Sequence, residues 1–180
     1  KDHQSTLAVL PTGAGKSIIF AGVIDRIQPL KTMVLAHREE LIFQAQDKIN
    51  QVTRIQSGIE MGAFRAQMAQ ADLFGGDSPQ VVVATVQTLN SRAGDRKRMG
   101  RFNPHDFGLV IIDEFHHAPA KSYVTVLNYF KQNPSLKVLG VTATPDRLDG
   151  VALGKVMDSV AYRYDIIQAI SDGWLCEPQQ

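Results

Sequence analysis

The chain has little cysteine, no long apolar segment and almost no net charge. Its single cysteine, Cys176, excludes an internal disulfide and a cysteine-based metal cluster, and it fits a reducing intracellular compartment such as the cytoplasm, nucleus or mitochondrial matrix. No apolar run approaches the roughly 20 residues that span a bilayer, so we expect no membrane partner. The net charge of +1 gives the whole molecule no field that attracts nucleic acid, and any basic surface must be local.

Apolar runs alternate with helix-like patterns along the 180 residues. Several of these runs are unbroken stretches of Val, Leu and Ile, which is typical of strands buried on both faces of a parallel sheet. The alternation predicts a doubly wound α/β domain in which ligands bind beyond the carboxyl ends of the strands. The predicted strands are 7–10, 32–36, 54–57, 80–85, 109–113, 138–142 and 160–164. The predicted helices are 16–27, 38–50, 63–71, 123–131 and 166–172.

A glycine-rich loop between the first predicted strand and the first predicted helix is the strongest sign of function. Its residues are Pro11, Thr12, Gly13, Ala14, Gly15, Lys16 and Ser17. In such a loop the backbone N–H groups can cradle phosphates, Lys16 can reach the β- and γ-phosphates, and Ser17 can bind Mg²⁺. The usual pattern has a glycine where this chain has Leu10, so the alternative is an ordinary turn with a surface lysine.

Two acidic residues, Asp113 and Glu114, follow the apolar run at 109–112. Taken alone, such a pair could be a helix cap or a solvated turn. Beside a phosphate-binding loop, Asp113 can hold nucleotide-bound Mg²⁺ through a water molecule, and Glu114 can deprotonate the water that attacks the γ-phosphate. We therefore predict that Lys16, Asp113 and Glu114 are catalytic residues.

The order of these motifs resembles the DExH-box helicases and translocases of superfamily 2. The glycine-rich loop, Asp-Glu-Phe-His at 113–116 and Thr-Ala-Thr-Pro at 142–145 carry the resemblance. Residues 34–41 resemble motif Ia of the family, residues 83–89 resemble motif Ib, and the ending at 142–150 is similar to the branch that includes type III restriction subunits. The resemblance implies a RecA-like P-loop NTPase domain over residues 1–175, with helices on both faces of a mostly parallel sheet, that uses ATP and Mg²⁺.

Residues after two other predicted strands are candidates for nucleic-acid binding. These are His37, Arg38, Thr85 and Gln87. Their polar groups can contact the sugar-phosphate backbone, which tracks a strand without reading its sequence. Two alternatives stay open, because Arg38 could be a solvated residue in the first turn of a helix and Thr85 could be a helix cap.

A third group, His116, Thr142 and Thr144, is predicted from the resemblance. In the family, the motif that matches the two threonines links the nucleotide state to the nucleic-acid site, and the position of His116 relays contacts toward it. From the residues alone, Thr144 belongs to a turn or a cap, and either histidine of the pair His116 and His117 could be a buried residue whose hydrogen bonds are satisfied. His117 fits that role better.

A basic cluster lies within residues 91–105, which we predict to be a long surface loop. Its members are Arg92, Arg96, Lys97, Arg98 and Arg101. Most such runs are solvated faces. The alternative is a nucleic-acid patch that adds a salt-dependent, sequence-independent contribution to binding.

The resemblance implies a second RecA-like domain as a partner, because ATP and nucleic acid lie across the cleft between two domains. Residues 176–180 resemble the start of a connector to it, and we expect little hydrolysis without that domain's arginine finger. We predict a motor that acts on DNA rather than RNA, with an RNA helicase and a degenerate nucleotide-binding scaffold as alternatives. The family's upstream glutamine motif, which reads adenine, has no assignable match, since Gln4 lies too close to the loop.

Overall fold

The computed structural model describes residues 3–66, 78–118, 120–143 and 157–176, and strands alternate with helices along these ranges. The strands are β1 (Ser5–Val9), β2 (Lys31–Ala36), β3 (Ser57–Glu60), β4 (Val81–Thr85), β5 (Arg92–Ala93), β6 (Arg96–Lys97), β7 (Phe107–Ile112), β8 (Lys137–Thr142) and β9 (Ser159–Arg163). The α-helices are α1 (Lys16–Arg26), α2 (Glu39–Thr53), α3 (Val86–Asn90), α4 (Lys121–Phe130) and α5 (Ile166–Ser171). Three short 3-10 helices span Arg98–Arg101, Pro104–Asp106 and Phe115–His117.

Seven strands form one parallel sheet in the order β3-β4-β2-β7-β8-β1-β9, and β5 and β6 form a separate antiparallel hairpin. The carboxyl ends of all seven strands therefore meet at one edge of the sheet. The glycine-rich loop follows β1 at this edge, and the two acidic residues follow β7. The predicted α/β fold class with a mostly parallel sheet is confirmed.

Helices cover both faces of the sheet. Consecutive residues of a strand point to opposite sides, so each strand packs against helices on both faces. Val34 of β2 belongs to an apolar cluster with Phe20 of α1 on one face. The next residue, Leu35, belongs to a cluster with Tyr123 of α4 on the other face. Burial on both sides explains the unbroken apolar runs of the sequence.

Gly140 in β8 makes room for the residue that follows the acidic pair. A Cβ at this glycine would lie 2.6 Å from Cδ2 of Phe115, whose side chain is fully buried. The close approach fixes the 3-10 helix Phe115–His117 against the sheet, which holds the two histidines of that helix beside the carboxyl end of β8. Phe115 thus has the packing role that its apolar ring indicates.

The third strand, the end of the second helix and the helix predicted at 63–71 differ from the sequence-based expectation. Strand β3 begins at Ser57 rather than 54, because α2 continues to Thr53 and Arg54 then takes the left-handed conformation, with φ of 57°, that ends the helix. The first four residues of the helix predicted at 63–71 are not helical, and the others lie outside the described ranges.

The prediction of a long surface loop at 91–105 was wrong. This segment contains the β5–β6 hairpin and two 3-10 helices, and Phe102 within it is fully buried in the main apolar cluster. The aromatic ring anchors the segment to the domain, because its burial removes a large apolar surface from water.

Among the residues that the structure describes, no helix has the length and apolar character that crossing a membrane requires.

Candidate functional site

The glycine-rich loop has a backbone shape that only its glycines adopt at low cost. Gly13 and Gly15 have φ angles of 88° and 79°, in the left-handed region that disfavours other residues. Helix α1 begins within the loop at Lys16, and its N-cap residue, Gly15, has no side chain that could cap the first turn. Because the first N–H groups of a helix lack partners within the helix, this end can receive phosphate oxygens.

Lys16 and Glu114 form an ion pair across the carboxyl edge of the sheet. Lys16 Nζ lies 2.8 Å from Glu114 Oε1, and the two side chains are 12% and 27% exposed. The pair brings together two residues that are 98 positions apart in the chain and that sequence motifs assign to the same reaction. A lysine that holds a carboxylate in this open position can exchange it for a phosphate oxygen, since both ligands are anionic and accept hydrogen bonds.

Asp113 is nearly buried at the end of β7, and its backbone N–H donates to the carbonyl of Leu35 at 2.9 Å. Burial raises the pKa of its carboxyl, and the neighbouring Glu114 raises it further, whereas Lys16 and the Glu114 backbone N–H act in the opposite direction. Burial makes the charged form of this carboxylate unfavourable, and a nearby cation would stabilise it. The position therefore suits a Mg²⁺ ligand. Among the described residues, no cluster of three or more His, Cys, Asp or Glu side chains could hold a metal alone. That Asp113 and Ser17 hold a Mg²⁺ that arrives with phosphate ligands stays a prediction.

Glu114 adopts a backbone conformation that is uncommon for its residue type. Its φ and ψ are 50° and 55°, and its N–H donates to Asp113 Oδ1 at 3.0 Å. Non-glycine residues in this region usually occur where the surrounding structure holds them in place, often at functional sites. The turn directs the Glu114 side chain to Lys16, which places a potential general base at the predicted γ-phosphate position.

His116 joins the acidic pair to the end of β8. Its Nδ1 lies 3.4 Å from Glu114 Oε2 and 3.3 Å from the hydroxyl oxygen of Thr142, which is fully buried. The structure thus brings together two of the three residues predicted to couple nucleotide and nucleic acid. The third, Thr144, lies outside the described residues. The coupling role itself stays a prediction.

The candidate nucleic-acid residues line one cleft of about 720 Å³ at the same edge of the sheet. His37 and Arg38 are exposed at the start of α2, and Gln87 Nε2 lies 3.2 Å from His37 Nδ1. Thr85 also lines the cleft, but its hydroxyl accepts a hydrogen bond from the Thr88 N–H and caps α3. The capping alternative for Thr85 is therefore the role that its contacts support, and its contact with nucleic acid stays a prediction.

Three histidine rings, two of them stacked and the third tilted, form a row between this cleft and the Lys16–Glu114 pair. The His37 and His117 ring centroids are 4.5 Å apart with planes at 23°, and those of His117 and His116 are 4.2 Å apart. Burial lowers the pKa of His117, and the neighbouring His116 and His37 lower it further. His117 is only half-buried, so its interpretation as a buried core histidine was wrong. The row depends on β2 and β7 being neighbours, which no local sequence signal reveals.

Two members of the basic cluster bind a buried carboxylate, and one of them, Arg98, is itself buried. Arg98 is 5% exposed, and its Nε donates to Glu60, whose carboxylate is fully buried. Arg101 Nη1 lies 2.9 Å and 3.0 Å from the two oxygens of the same carboxylate, which also accepts from the Ala66 N–H at 2.8 Å. For Arg98, both alternatives, a solvated face and a nucleic-acid patch, were wrong. The reason is Glu60, an acid at the end of β3 that the sequence motifs do not single out.

The other basic residues of the cluster, Arg92, Arg96 and Lys97, are exposed on the β5–β6 hairpin. The hairpin follows α3 directly, and Lys97 Nζ lies 3.2 Å from the side-chain oxygen of Asn90 in that helix. Its position after the helix that carries Gln87 leaves the nucleic-acid interpretation open for these three residues.

A protein-family model matches most of the chain. The family described as the res subunit of type III restriction enzymes matches residues 1–147. The matched range includes the glycine-rich loop, both acidic residues and the strands that carry the cleft residues.

Curated relatives include proteins that are more than 30% identical to the chain. A protein of Saccharomyces cerevisiae named as the ATP-dependent helicase IRC3 is 34% identical over 181 residues, which cover 93% of this chain and 24% of that protein. The DNA 3'-5' translocase XPB2 of Sulfurisphaera tokodaii is 31% identical over 144 residues, which cover 80% of this chain and 28% of that protein. The chain thus spans about a quarter of the length of these relatives.

A solved structure supports the fold. The helicase domain of Hef from Pyrococcus furiosus superimposes with a TM-score of 0.68 over 89% of this chain and 35% of that chain. The two are 23% identical in sequence, so the likeness bears on the architecture of the domain alone.

Proposed function

The chain belongs to the family of type III restriction enzyme res subunits, within the superfamily 2 helicases, and we propose that it powers a DNA helicase or translocase by hydrolysing ATP. The observation that carries the proposal is the contact of Lys16 with Glu114 at 2.8 Å. It joins the phosphate-binding loop to the candidate general base. The same edge of the sheet holds the cleft that contains the candidate nucleic-acid residues.

The chain's own residues account for the chemistry of hydrolysis. Lys16 exchanges the Glu114 carboxylate for the γ-phosphate, and the N–H groups at the start of α1 hold the remaining phosphate oxygens. The freed Glu114 then accepts a proton from the attacking water. Asp113 and Ser17 would hold Mg²⁺, which when bound neutralises charge that develops on the phosphate oxygens.

The nucleic-acid side of the proposal depends on His37, Arg38 and Gln87. Their polar groups face one cleft and suit contacts to a sugar-phosphate backbone. The exposed basic side chains of the β5–β6 hairpin extend this surface with positive charge, which adds a salt-dependent contribution to binding. Through His117 and His116, this cleft is in contact with Glu114.

DNA is the proposed substrate, and a second RecA-like domain is the proposed partner. One relative at 31% identity is named as a DNA translocase, and the match to restriction-enzyme subunits points in the same direction. The free, exposed Cys176 suits a reducing intracellular compartment.

The test is ATP hydrolysis by the protein with single-stranded DNA, duplex DNA, forked DNA and RNA of matched sequence. We expect DNA to stimulate hydrolysis more than RNA, and the variant Lys16→Ala to abolish it on every substrate. Stronger stimulation by RNA would favour an RNA helicase. A protein that binds ATP but hydrolyses none with any nucleic acid would be a scaffold instead.

The proposed second domain predicts slow hydrolysis by these 180 residues alone, because the transition-state arginine comes from the partner domain. If the 180-residue chain hydrolyses ATP as fast as a complete motor, and Lys16→Ala abolishes that activity, the need for a second domain is wrong.

A further inference from the structure

A second cleft, of about 620 Å³, lies on the other side of the glycine-rich loop from Glu114. Residues of the loop form one wall, and residues of β9 and α5 form the other. We propose that this cleft binds the purine base of ATP by aromatic stacking. The proposal rests on the function proposed above, because it concerns the nucleoside end of the same ligand.

The order of the strands gives the direction of the bound nucleotide. Strand β1, which leads into the loop, lies between β8 and β9, and β7 lies beyond β8. The Lys16–Glu114 contact marks the γ-phosphate end on the β7 side of the loop. A phosphate chain that passes through the loop therefore directs its nucleoside toward β9.

Aromatic side chains line the cleft on the β9 side, among them Tyr162, Tyr164 and Trp174. Tyr162 and Trp174 line it with exposures of 52% and 76%, and Tyr164 lies between them in the chain. The rings of Tyr162 and Tyr164 are stacked, with centroids 6.3 Å apart and planes at 23°. Large exposed aromatic residues that gather at one cleft usually mark a binding surface, and each offers a flat face on which a base can stack.

Local hydrogen bonds hold these rings beside the loop. The Tyr164 N–H donates to the carbonyl of Val9, the last residue of β1, at 2.9 Å. The Tyr164 hydroxyl donates to Asp172 Oδ2 at 2.7 Å, which ties the end of β9 to the end of α5. The tyrosines are thus fixed to the strand from which the glycine-rich loop emerges.

Trp174 is positioned by the way α5 ends. Gly173 has a φ of 76°, its N–H donates to the Ile170 carbonyl, and the Trp174 N–H donates to the Ala169 carbonyl. This is the Schellman arrangement, in which a glycine in the left-handed region reverses the chain after a helix. The reversal places Trp174 at the cleft, and the next residue, Leu175, lies 3.3 Å from where a Cβ at Gly13 would be.

The cleft also offers one amide side chain suited to a base edge. Gln168 of α5 lines it and carries both a donor and an acceptor, the combination that an adenine edge complements. Gln4, the one upstream glutamine near the loop in sequence, lies at the opposite edge of the sheet. Its Nε2 donates to the Pro134 carbonyl at 2.9 Å, before β8.

The proposal is tested by comparing the binding of ATP with that of inorganic triphosphate, which lacks the base and ribose. We expect Trp174→Ala and Tyr162→Ala each to weaken ATP binding about tenfold, in the range of one base–aromatic stack, and to leave triphosphate binding unchanged. The matched control is Ile167→Ala, which removes a side chain that is 77% exposed on α5 but does not line the cleft.

A second readout needs no variant in the cleft. Trp174 is the one tryptophan among the 180 residues, so its fluorescence reports on the cleft directly. We expect ATP to change the Trp174 emission and triphosphate to leave it nearly unchanged.

The outcomes separate the two proposals. If Trp174→Ala and Tyr162→Ala bind ATP as tightly as the wild type while Lys16→Ala does not, the base site is wrong and the ATP-binding function stands. If the wild type binds neither ATP nor triphosphate, or Lys16→Ala binds both normally, the proposed function is wrong and the base site with it.

Discussion

Two clusters in this domain pair a glutamate with basic side chains, and they differ in access to solvent. At the ATP site, Lys16 meets Glu114 while both side chains remain partly exposed. At the end of β3, Glu60 is fully buried and is held by Arg98, Arg101 and the Ala66 N–H. Lys16 can separate from the first glutamate, whereas the second is held by several donors at once.

The difference separates an exchangeable contact from a structural one. A partly exposed ion pair contributes little to stability, so a ligand can replace it at low cost. A buried carboxylate must keep its partners, because an unpaired charge in the interior is strongly destabilising. The Glu60 cluster therefore fixes the segment that carries the β5–β6 hairpin, whereas the proposed exchange of Glu114 for phosphate would open the Lys16–Glu114 pair during turnover.

The largest effect should come from breaking the buried cluster. We expect Glu60→Ala to lower the free energy of unfolding by about 3–5 kcal/mol, because Arg98 would remain buried without its carboxylate. Chemical denaturation of the variant and the wild type measures this difference.

Arg65→Ala is the matched control for Glu60→Ala. Arg65 Nη1 lies 3.7 Å from the same carboxylate, but its side chain is 52% exposed, so we expect a change below about 1 kcal/mol. Equal effects of the two variants would erase the distinction between the clusters.

The next prediction tests whether the Lys16–Glu114 pair is energetically coupled to the cleft lined by His37 and Arg38. We expect His117→Ala to reduce the stimulation of ATP hydrolysis by DNA about tenfold, in the usual range of coupling between two sites, and to leave unstimulated hydrolysis unchanged. His105→Ala, at an exposed position outside the histidine row, serves as the control. Normal stimulation in His117→Ala would show that the histidine row does not couple the two sites.

A smaller change in stability, opposite in sign to that of Glu60→Ala, is expected at Asp113. Burial raises the pKa of Asp113, so the folded state keeps a proton that the unfolded state releases as the pH rises above about 3.8. Stability is therefore lost as the pH rises through the folded pKa, and the full cost is present at neutral pH. We expect Asp113→Asn to be more stable than the wild type at pH 7 and no more stable at low pH.

Denaturation at several pH values measures this gain, with the exposed Asp95→Asn as the control. Asp113→Asn should also lose Mg²⁺-dependent hydrolysis. If Asp113→Asn were destabilised at neutral pH, as Glu60→Ala should be, Asp113 would belong with the structural cluster.

The part of the site that the sequence predicts is the part carried by local motifs. Lys16 follows a glycine-rich turn, and Asp113 and Glu114 follow an apolar run, so neighbouring residues alone indicate a strand end and a phosphate-binding loop. The resemblance to superfamily 2 then assigns these residues to one reaction. The alternation of apolar runs similarly predicts the parallel sheet and its two layers of helices.

The features that sequence reasoning missed depend on which strands become neighbours. Glu60 and Arg98 are 38 residues apart, and neither stands out until β3 and the hairpin segment lie together. The histidine row requires β2 beside β7, and the aromatic cleft requires β9 beside β1. The long loop predicted at 91–105 failed for the same reason, since a buried anchor such as Phe102 is visible only in the folded chain.

The most direct test of the account is the ATP affinity of Lys16→Ala and Glu114→Gln beside the wild type. Glu114 pairs with Lys16 at 2.8 Å, so removing the charge of Glu114 frees the lysine for phosphate. We expect Glu114→Gln to bind ATP at least as tightly as the wild type while losing about 10²–10⁴-fold in hydrolysis, and Lys16→Ala to lose both. If Glu114→Gln weakens ATP binding as much as Lys16→Ala does, the exchange of Glu114 for the γ-phosphate is wrong.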